Sequence, residues 1–407
     1  MSENGIFTLK WLAVSVNVLC LLILLGVIKM NNTLPIPFYQ KKALEEPIVI
    51  GIATTPEEKM EIYRLRYRIY AEEISYKLVS ADHSNKLLYD ELDEWGILLY
   101  VRVGTELIGT ARMNVGRISD FPSELVQIFL MNKFHEFYKE EDKQNFSFIS
   151  KGMISPDYRS SQALNMLMEK IYELYLNNQV QFGFVNCNFH LISLHEHYGS
   201  RRLGVNYVDP NLGLMASFVM LIDDIEHLRA VGSPLINIAS KKRTLNNRVV
   251  DWFHSEFAET TSIINSQLIS EDELWVILCN RLGNAPNKII PILKGLSVTQ
   301  AKKILHCCGV VVPCPAGSYI VSRGDVSNEL NILLSGTIQS SGKNNTSPDK
   351  YLGAIGLVNR TKHTVNIIAA TNVEILVLSF HYFQKFRRSC PEIAKKVLHN
   401  LSPNNPQ

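Results

Sequence analysis

The order of apolar segments between residues 47 and 222 constrains the fold of this chain most strongly. Two apolar runs separated by Gly104-Thr105-Glu106 predict a hairpin, and a later helix repeats its apolar residues about every ~3.6 positions. The predicted elements are a strand at 47–53, a helix from Pro56 to Tyr70, strands at 96–103, 107–114 and 146–154, a helix at 160–177, a strand at 182–186, a helix at 191–198 and a strand at 214–222. A hairpin followed by alternating strands and helices predicts a mixed sheet with helices on both faces, of the α/β class.

Three short charged blocks lie on different elements of this predicted sheet. They are Arg66-Tyr67-Arg68-Ile69-Tyr70 on the first helix, Asp90-Glu91-Leu92-Asp93 on a loop, and Ile108-Gly109-Thr110-Ala111-Arg112 near the end of a strand. Folding brings two carboxylates and two guanidiniums to one cleft. Such a set is either an acyl-transfer site or a structural ion-pair network.

The N-terminal region contains a long uncharged segment. Residues 11–28 carry no charge and are flanked by Lys10 and Lys29. At ~1.5 Å per residue this length nearly spans a ~30 Å hydrocarbon layer, and no small-residue cleavage site follows. The segment predicts one transmembrane anchor, with a buried core helix as the alternative. Lysines are more frequent after the segment than before it, which favours a single-pass protein with a cytoplasmic body, in a bacterial inner membrane.

Charge and cysteine content exclude two classes of function. Lys plus Arg number 41 against 39 Asp plus Glu, so the chain has no basic field for nucleic acid. The seven cysteines form no CxxC pair, and Cys307 and Cys308 are adjacent, which predicts a reduced protein. His306 with Cys307, Cys308 and Cys314 matches no tetrahedral zinc spacing, so no metal is predicted.

These elements and residues, over about 48–238, resemble the acetyltransferase-like (GNAT) acyltransferases. Within that superfamily the chain is similar to the acyl-homoserine-lactone synthases and the N-acyl amino acid synthases. The matching positions are Arg66, Tyr70, Asp90, Asp93 and Arg112, then the segments His190-Leu191-Ile192-Ser193-Leu194, Tyr198-Gly199-Ser200 and Gly232-Ser233-Pro234-Leu235. The resemblance implies transfer of an acyl group from a thioester to an amine.

The chain departs from these families at two places. The lactone synthases have a glutamate and an arginine flanking a serine, and here Phe148 and Lys151 stand at those positions. The thioester phosphate loop lacks glycine, so Arg159, Ser160 and Ser161 are predicted to hold the phosphate as an anion nest. The donor is then either acyl-coenzyme A or an acyl carrier protein that carries phosphopantetheine.

The resemblance and amine chemistry together assign roles to these residues. Asp90 and Asp93 would hold the acceptor ammonium or pass on its proton. Arg112 and Arg66 would bind the acceptor carboxylate or hold the aspartates in place. Tyr198 would either donate a proton to the leaving thiolate or act as a packing residue. The backbone amides at 151–153 would stabilise the oxyanion. Tyr70, Lys151 and His190 would lie beside the acceptor substrate. If the aspartates are catalytic, Asp93→Asn is expected to abolish transfer without affecting the melting temperature.

In the last third of the chain the pattern of predicted secondary structure changes. Residues 246–292 predict a helical connector, and short β-branched runs after residue 293 predict a β-roll closed by one helix at 382–401. Ile320-Val321-Ser322-Arg323-Gly324-Asp325 and Leu333-Leu334-Ser335-Gly336 resemble the glycine signatures of cyclic-nucleotide-binding domains. The nucleotide pocket is degenerate: after Gly353 the ribose-binding glutamate is replaced by Ala354, and the phosphate-binding arginine by Thr361, beside Arg360. No cyclic nucleotide is expected.

The sequence therefore predicts four regions: an anchor and linker (1–45), a GNAT-like N-acyltransferase domain (46–245), a helical connector (246–292) and a cyclic-nucleotide-binding-like β-roll (293–407). The predicted activity is membrane-anchored transfer of a fatty acyl group to the amine of an amino acid or similar small acceptor. The alternative is a non-catalytic membrane-bound scaffold in which both folds have decayed. A nucleotide-gated lysine acetyltransferase is disfavoured, because the chain lacks both the glycine loop and the phosphate arginine.

Overall fold

The computed structural model describes most of the chain from residue 46 onwards. The described residues are 46–74, 76, 78–138, 145–159, 161–241, 247–261, 263–340, 343–345, 351–358 and 360–401. The predicted membrane anchor at 11–28 and the predicted phosphate ligand Ser160 lie outside them. Within the described ranges, no helix is both long and apolar enough to cross a membrane.

A seven-stranded sheet organises the first half of the described chain. Its strands are β1 (Ile48–Ile52), β2 (Ile97–Val103), β3 (Glu106–Gly116), β4 (Phe146–Ile154), β5 (Phe182–Asn188), β6 (Arg201–Asp209) and β7 (Gly213–Leu221). Their order is β1-β2-β3-β4-β5-β7-β6, and only the central pair β4 and β5 is parallel. The predicted mixed sheet is confirmed, whereas β6 was not predicted.

Helices cover both faces of this sheet, as predicted. They are α1 (Pro56–Tyr67), α2 (Ser123–Ile128), α3 (Met131–Tyr138), α4 (Ala163–Asn177), α5 (Ile192–Tyr198), α6 (Ile225–Ala230), α7 (Ile236–Ala239), α8 (Asn247–Glu256) and α9 (Ala258–Thr261). On one face, α4 packs on the sheet through Leu167 and Ile171, together with Leu228 of α6. On the other face, α3 and α8 build an aromatic cluster around Phe134 and Phe253.

Helix α1 begins and ends in ways that matter for the site. Thr55 caps it, with a reciprocal bond from Glu58, and Pro56 occupies the first turn. After Tyr67 the chain continues as a π-helix, Arg68–Glu73. The chain is therefore helical through Tyr70, as predicted, but its last turns are of the π type, which was not predicted and which is frequent at functional sites.

The C-terminal lobe is a β-roll of two four-stranded sheets. Its elements are α10 (Glu271–Leu282), α11 (Pro286–Ile289), α12 (Val298–Cys308), β8 (Gly309–Cys314), β9 (Tyr319–Val321), β10 (Glu329–Ser335), β11 (Ile338–Ser340), β12 (Lys343–Asn345), β13 (Tyr351–Leu352), β14 (Ile367–Ala369), β15 (Val373–Ser379), α13 (Phe380–Ser389) and α14 (Pro391–Asn400). The single closing helix predicted at 382–401 is two helices, because Pro391 cannot continue α13.

The two lobes pack directly against each other. One hydrophobic cluster contains Cys187 and Phe218 of the seven-stranded sheet together with Val312 and Ile375 of the β-roll. Arg202 on β6 also donates a hydrogen bond of 2.7 Å to the carbonyl oxygen of Val311 on β8. The described residues on both sides accordingly belong to one compact unit.

Candidate functional site

The cleft opens where the two central strands separate. β4 and β5 pair only from Phe146 to Ile149, although both continue further. Just beyond this paired stretch, β4 carries an extra residue relative to β3, because Arg112 pairs with Ser150 while Thr110 pairs with Met153. This is a β-bulge, a feature found next to active sites where a strand must redirect a group.

Lys151 occupies the bulge with a φ of +54°, a conformation rarely adopted by residues other than glycine. The next residue, Gly152, faces open space, since a side-chain carbon placed there would meet no atom within 4 Å. The strand thus places a strained backbone turn next to an exposed glycine, just beyond the point where β4 and β5 stop pairing. Strain of this kind is concentrated at functional sites.

The four predicted charged residues form one buried network. Arg66 Nη1 lies 2.8 Å from Asp93 Oδ1, and Arg112 Nη1 lies 3.0 Å from Asp93 Oδ2. Arg112 Nη1 also donates to Asp90 Oδ1, and its Nε donates to Ser150 Oγ at 3.1 Å. The side chains of Arg66, Arg112 and Asp93 are 0–3% exposed. The structure brings the set together, and the arginines hold the aspartates in place.

The loop carrying the aspartates is fixed by its own backbone bonds. Asp90 Oδ1 accepts from the Leu92 amide at 3.1 Å, and Asp93 Oδ2 accepts from the Asp90 amide at 2.9 Å. Asn114 on β3 also donates to the Leu92 carbonyl oxygen at 2.9 Å. Both carboxylates are therefore oriented before any substrate binds.

Asp90 of this network and the neighbouring Lys151 are the charged side chains that reach the cleft. Asp90 is 32% exposed and its Oδ2 lies 3.5 Å from Lys151 Nζ, whose side chain is 11% exposed. Burial raises the pKa of Asp90, but Arg112 and Lys151 outweigh it, so the net pKa is lowered. Burial lowers the pKa of Lys151, and the nearby arginines add to this against the opposing charge of Asp90.

The position of the missing glutamate has become part of the aromatic core. Phe148 is buried and packs against Phe129 with ring centroids 5.2 Å apart. Phe148 lies opposite Asn114 on β3, two pairs along the strands from Arg112 and Ser150. With an apolar side chain there, the partners of Arg112 are Ser150, Asp90 and Asp93.

Two tyrosines extend from the charged network towards the β-roll. Tyr70 lies in the π-helix, and burial raises its pKa to about 12 despite the opposing charge of Arg66. Its ring centroid is 5.9 Å from that of Tyr76. The Tyr76 hydroxyl donates to Asn188 Oδ1 at 2.9 Å, at the end of β5. Tyr76 and Asn188 were not identified from the sequence, since neither belongs to a recognisable motif here.

His190 lies at the junction of the two lobes rather than beside the bulge. Its Nδ1 is 3.4 Å from Glu329 Oε2 of the β-roll. Tyr76, His190, Glu329 and His363 all line a cavity of about 30 Å³ between the lobes. That volume holds about one water molecule and is far below the roughly 300 Å³ of a small ligand pocket.

The predicted donor loop lies between β4 and α4. Arg159 forms a two-point ion pair with Glu73, with both N–O distances 2.7 Å, so its guanidinium is already engaged. Ser161 Oγ accepts from the Ala163 amide at 3.2 Å and begins α4. Tyr198 donates from its hydroxyl to Asn165 Oδ1, 2.5 Å away in the first turn of α4. Burial raises the pKa of Tyr198, which keeps it a protonated phenol near this loop.

In the degenerate nucleotide pocket of the β-roll, the side chain of His363 lies against the backbone at Gly353 and Ala354. His363 Nδ1 accepts a 2.9 Å hydrogen bond from the Ala354 amide, and it is buried. A side chain at Gly353 would approach that same nitrogen to 2.5 Å. Arg360 lies over the ring of Phe380, 5.7 Å from its centroid, and the carbonyl oxygen of Thr361 accepts from the Ser327 amide at 2.9 Å. No sequence signal identified His363 as the residue filling this pocket.

The cleft, the bulge and the β-roll define the class of the protein, and family models agree with them. Residues 65–169 match the model of the acetyltransferase (GNAT) domain, and residues 311–390 match that of the cyclic nucleotide-binding domain. The chain thus combines a region that matches the GNAT domain with a region that matches the cyclic nucleotide-binding domain. In the described part of the chain, no three His, Cys, Asp or Glu residues are grouped as metal ligands.

Solved structures are similar to parts of the chain. The N-acyl amino acid synthase FeeM from uncultured soil microbes is 12% identical, with a TM-score of 0.37, over 47% of this chain and 98% of its own. The AHL synthase LasI is 12% identical, with a TM-score of 0.31, over 43% and 90%. The catabolite activator protein of Thermus thermophilus is 22% identical, with a TM-score of 0.23, over 27% and 54%. A search of curated protein sequences gave no match.

Proposed function

We propose that the chain is an N-acyltransferase that moves a fatty acyl group from a thioester to the amine of an amino acid or similar small acceptor. The observation that carries this proposal is the strained bulge at Lys151 in the gap between β4 and β5, directly beside the buried network of Asp90 and Arg112. The GNAT domain model and the motif resemblance of the sequence support it.

The gap between the strands suits the thioester. A side-chain carbon at Gly152 would meet no atom within 4 Å, so the acyl carbonyl has room to approach the backbone amides of residues 151–153. Preorganised amides of this kind stabilise the oxyanion of acyl transfer without reorganising during the reaction. The donor is either acyl-coenzyme A or an acyl carrier protein, whose shared phosphopantetheine arm would enter past Arg159 and Ser161.

The acceptor amine is placed by the exposed carboxylate oxygen of Asp90. Asp90 remains ionised because Arg112 and Lys151 lower its pKa against the effect of burial, so it attracts an ammonium group. Tyr70 forms the side wall of this end of the cleft. On the donor side, Tyr198 supplies a proton to the leaving thiolate, since its raised pKa keeps the phenol protonated.

We propose that the chain acts at a membrane through residues 11–28, with its catalytic body on the cytoplasmic side, on the basis of that apolar segment and the lysines that flank it. The hydrophobic acylated amine partitions into the bilayer, which fits this location. Replacing Leu22 by Arg in the full chain should release it from the membrane fraction, because a cation at mid-bilayer costs about 2.5–3.5 kcal/mol. Unchanged fractionation would remove this part of the proposal.

The transfer reaction is tested by mass spectrometry of lipid extracts from cells that express the full chain or its Arg112→Ala and Gly152→Ala variants. A new acylated amine that is present only with the unaltered chain would identify both acyl group and acceptor. The second variant is needed because loss of Arg112 removes one of the cationic partners of Asp90 and of Asp93, and so threatens folding.

The competing function is a non-catalytic scaffold, and the filled nucleotide pocket favours decay of at least one lobe. Identical extracts from all three cultures, with each protein folded, would support the scaffold and refute acyl transfer.

A further inference from the structure

The acyl-transfer proposal leaves open which group removes the proton from the amine, and the carboxylates are poorly suited to that task. Asp93 is 3% exposed, and its two oxygens are held by Arg66, Arg112 and the Asp90 amide. Asp90 Oδ1 accepts from Arg112 and from the Leu92 amide. Burial raises the pKa of Asp90, but Arg112 and Lys151 lower it overall, so this carboxylate binds a further proton weakly.

Among the groups joined by ion pairs in this cluster, cations outnumber carboxylates. Arg66, Arg112 and Lys151 supply three positive charges, and Asp90 and Asp93 supply two negative ones. Apart from Asp90, the side chains of these five residues are at most 11% exposed, so water screens the excess charge poorly. Arginine does not release its proton in proteins, whereas a buried lysine does so readily. Of the three cations in this cluster, Lys151 is therefore the one that can give up its proton.

We infer that Lys151 is the general base of the acyl transfer: it faces the amine as a neutral lysine and takes its proton. The bulge gives this residue two roles at one place, because its backbone borders the oxyanion position while its Nζ lies 3.5 Å from Asp90 Oδ2, where the acceptor nitrogen is held. This inference rests on the proposed function and adds the identity of the base.

The charged groups facing Lys151 come from four elements, and they act in both directions. Burial lowers its pKa most, the carboxylate of Asp90 raises it, Arg112 on β3 and Arg66 on α1 lower it, and Asp209 at the end of β6 raises it. The net effect is a lowered pKa. Asp209 is itself engaged, since its Oδ1 accepts from the amides of Asn211 and Leu212 at 2.8 and 2.9 Å.

The step balances as follows. The bound ammonium first releases one proton to water. The resulting neutral amine attacks the thioester carbonyl carbon, forming the C–N bond, and its extra proton passes to Lys151 Nζ. The C–S bond then breaks, and the thiolate takes a proton from the hydroxyl of Tyr198. Lys151 returns its proton to Tyr198 through water, so an amine and a thioester give an amide and a thiol.

Kinetics with two substitutions distinguish a base from a simple cation. Lys151→Met removes both charge and base, and Lys151→Arg keeps the charge but cannot give up a proton. We expect both variants to lose about 10²–10⁴-fold in kcat, with KM little changed, and to lose the acidic limb of the wild-type pH–rate profile. Retention of most of the activity by Lys151→Arg would overturn the inference and make Lys151 a substrate-holding cation.

A second measurement on the full, unaltered chain does not depend on turnover or on the folding of a variant. Competitive acetylation with peptide mass spectrometry gives the pH midpoint at which each lysine becomes reactive. The matched control is Lys86, which lies 2.8 Å from Glu72 on the surface and whose pKa that hydrogen bond raises. Lys151 should show a midpoint below the ordinary ~10.4, and Lys86 a midpoint above that of Lys151.

The outcomes separate the two proposals. Transfer by the wild type with a Lys151 midpoint at or above that of Lys86 overturns the base and leaves the acyltransferase. Absence of transfer by the wild type with every thioester tried overturns the acyltransferase and the base together. A low midpoint with loss of turnover in both substituted chains supports the inference.

Discussion

At the scale of single residues, the aspartates of the cleft are structural as well as chemical. Asp93 was expected to be replaceable by Asn without loss of folding. Its burial between Arg66 and Arg112 now argues otherwise, because a neutral amide leaves two buried guanidiniums with less compensating charge.

Asp93→Asn should therefore destabilise the fold. Breaking a buried ion pair from one side costs about 3–5 kcal/mol, and urea unfolding would measure the change. The matched control is Asp272→Asn, since Asp272 is 82% exposed in its pair with Lys302 and such surface pairs contribute about 0–1 kcal/mol. Equal effects of the two substitutions would contradict a buried network.

Asp90 should make the stability of the fold depend on pH in the acidic range. Burial raises its pKa, but Arg112 and Lys151 lower it further, so the folded pKa lies below the unfolded value of about 3.9. The stabilisation is complete above the unfolded pKa and is lost as pH falls through the folded pKa. The difference in melting temperature between wild type and Asp90→Asn should thus shrink from pH 6 to pH 3. A difference that stays constant over this range would show that Asp90 is not stabilised by its charge.

The residues of the charged network could be predicted from the sequence, because arginines and aspartates that repeat on separate elements of a sheet pair with one another when it folds. Tyr76, Asn188 and His363 could not, since a tyrosine, an asparagine and a histidine within ordinary segments carry no pattern. Their roles depend on the packing of one lobe against the other.

At the scale of elements, the strands were easier to predict than their irregularities. Alternating apolar residues predicted β2 to β5, but a bulge at a lysine and a π-turn after Tyr67 depend on tertiary contacts that a local pattern does not contain. The break between α13 and α14 does have a local signal, since Pro391 cannot continue the preceding helix.

The bulge in β4 supplies a test that separates folding from function. Gly152→Ala places a methyl group in open space, so stability should change by less than about 0.5 kcal/mol. The same methyl group enters the volume proposed for the thioester, so kcat/KM should fall.

The comparison for this substitution is Gly336→Ala in the β-roll. Gly336 has a φ of +84°, and an added carbon would lie 2.5 Å from the carbonyl oxygen of Asn372, so folding itself should suffer. Normal kcat/KM in Gly152→Ala would place the thioester elsewhere.

At the scale of the whole molecule, the β-roll is a structural partner of the acyltransferase lobe. The seven-stranded sheet turns Cys187 and Phe218 towards Val312 and Ile375 of the β-roll, and these residues share one core. The sequence did not reveal this contact, because apolar positions that face another lobe look the same as positions that face their own helices.

The shared core leads to a last prediction, that the two lobes unfold as one. Asn206 on β6 donates to the carbonyl oxygen of Pro313 at 2.9 Å, and Arg202 donates to Val311 across the same contact. Separating the lobes would expose this apolar surface and leave those buried groups without partners, so a state with one lobe folded is unfavourable. Calorimetry of the full chain should show one main transition, and Phe218→Ala should lower its temperature while keeping it single, at a cost of about 3–5 kcal/mol. Two resolved transitions, with only the first sensitive to Phe218→Ala, would instead describe independent domains joined by a weak contact.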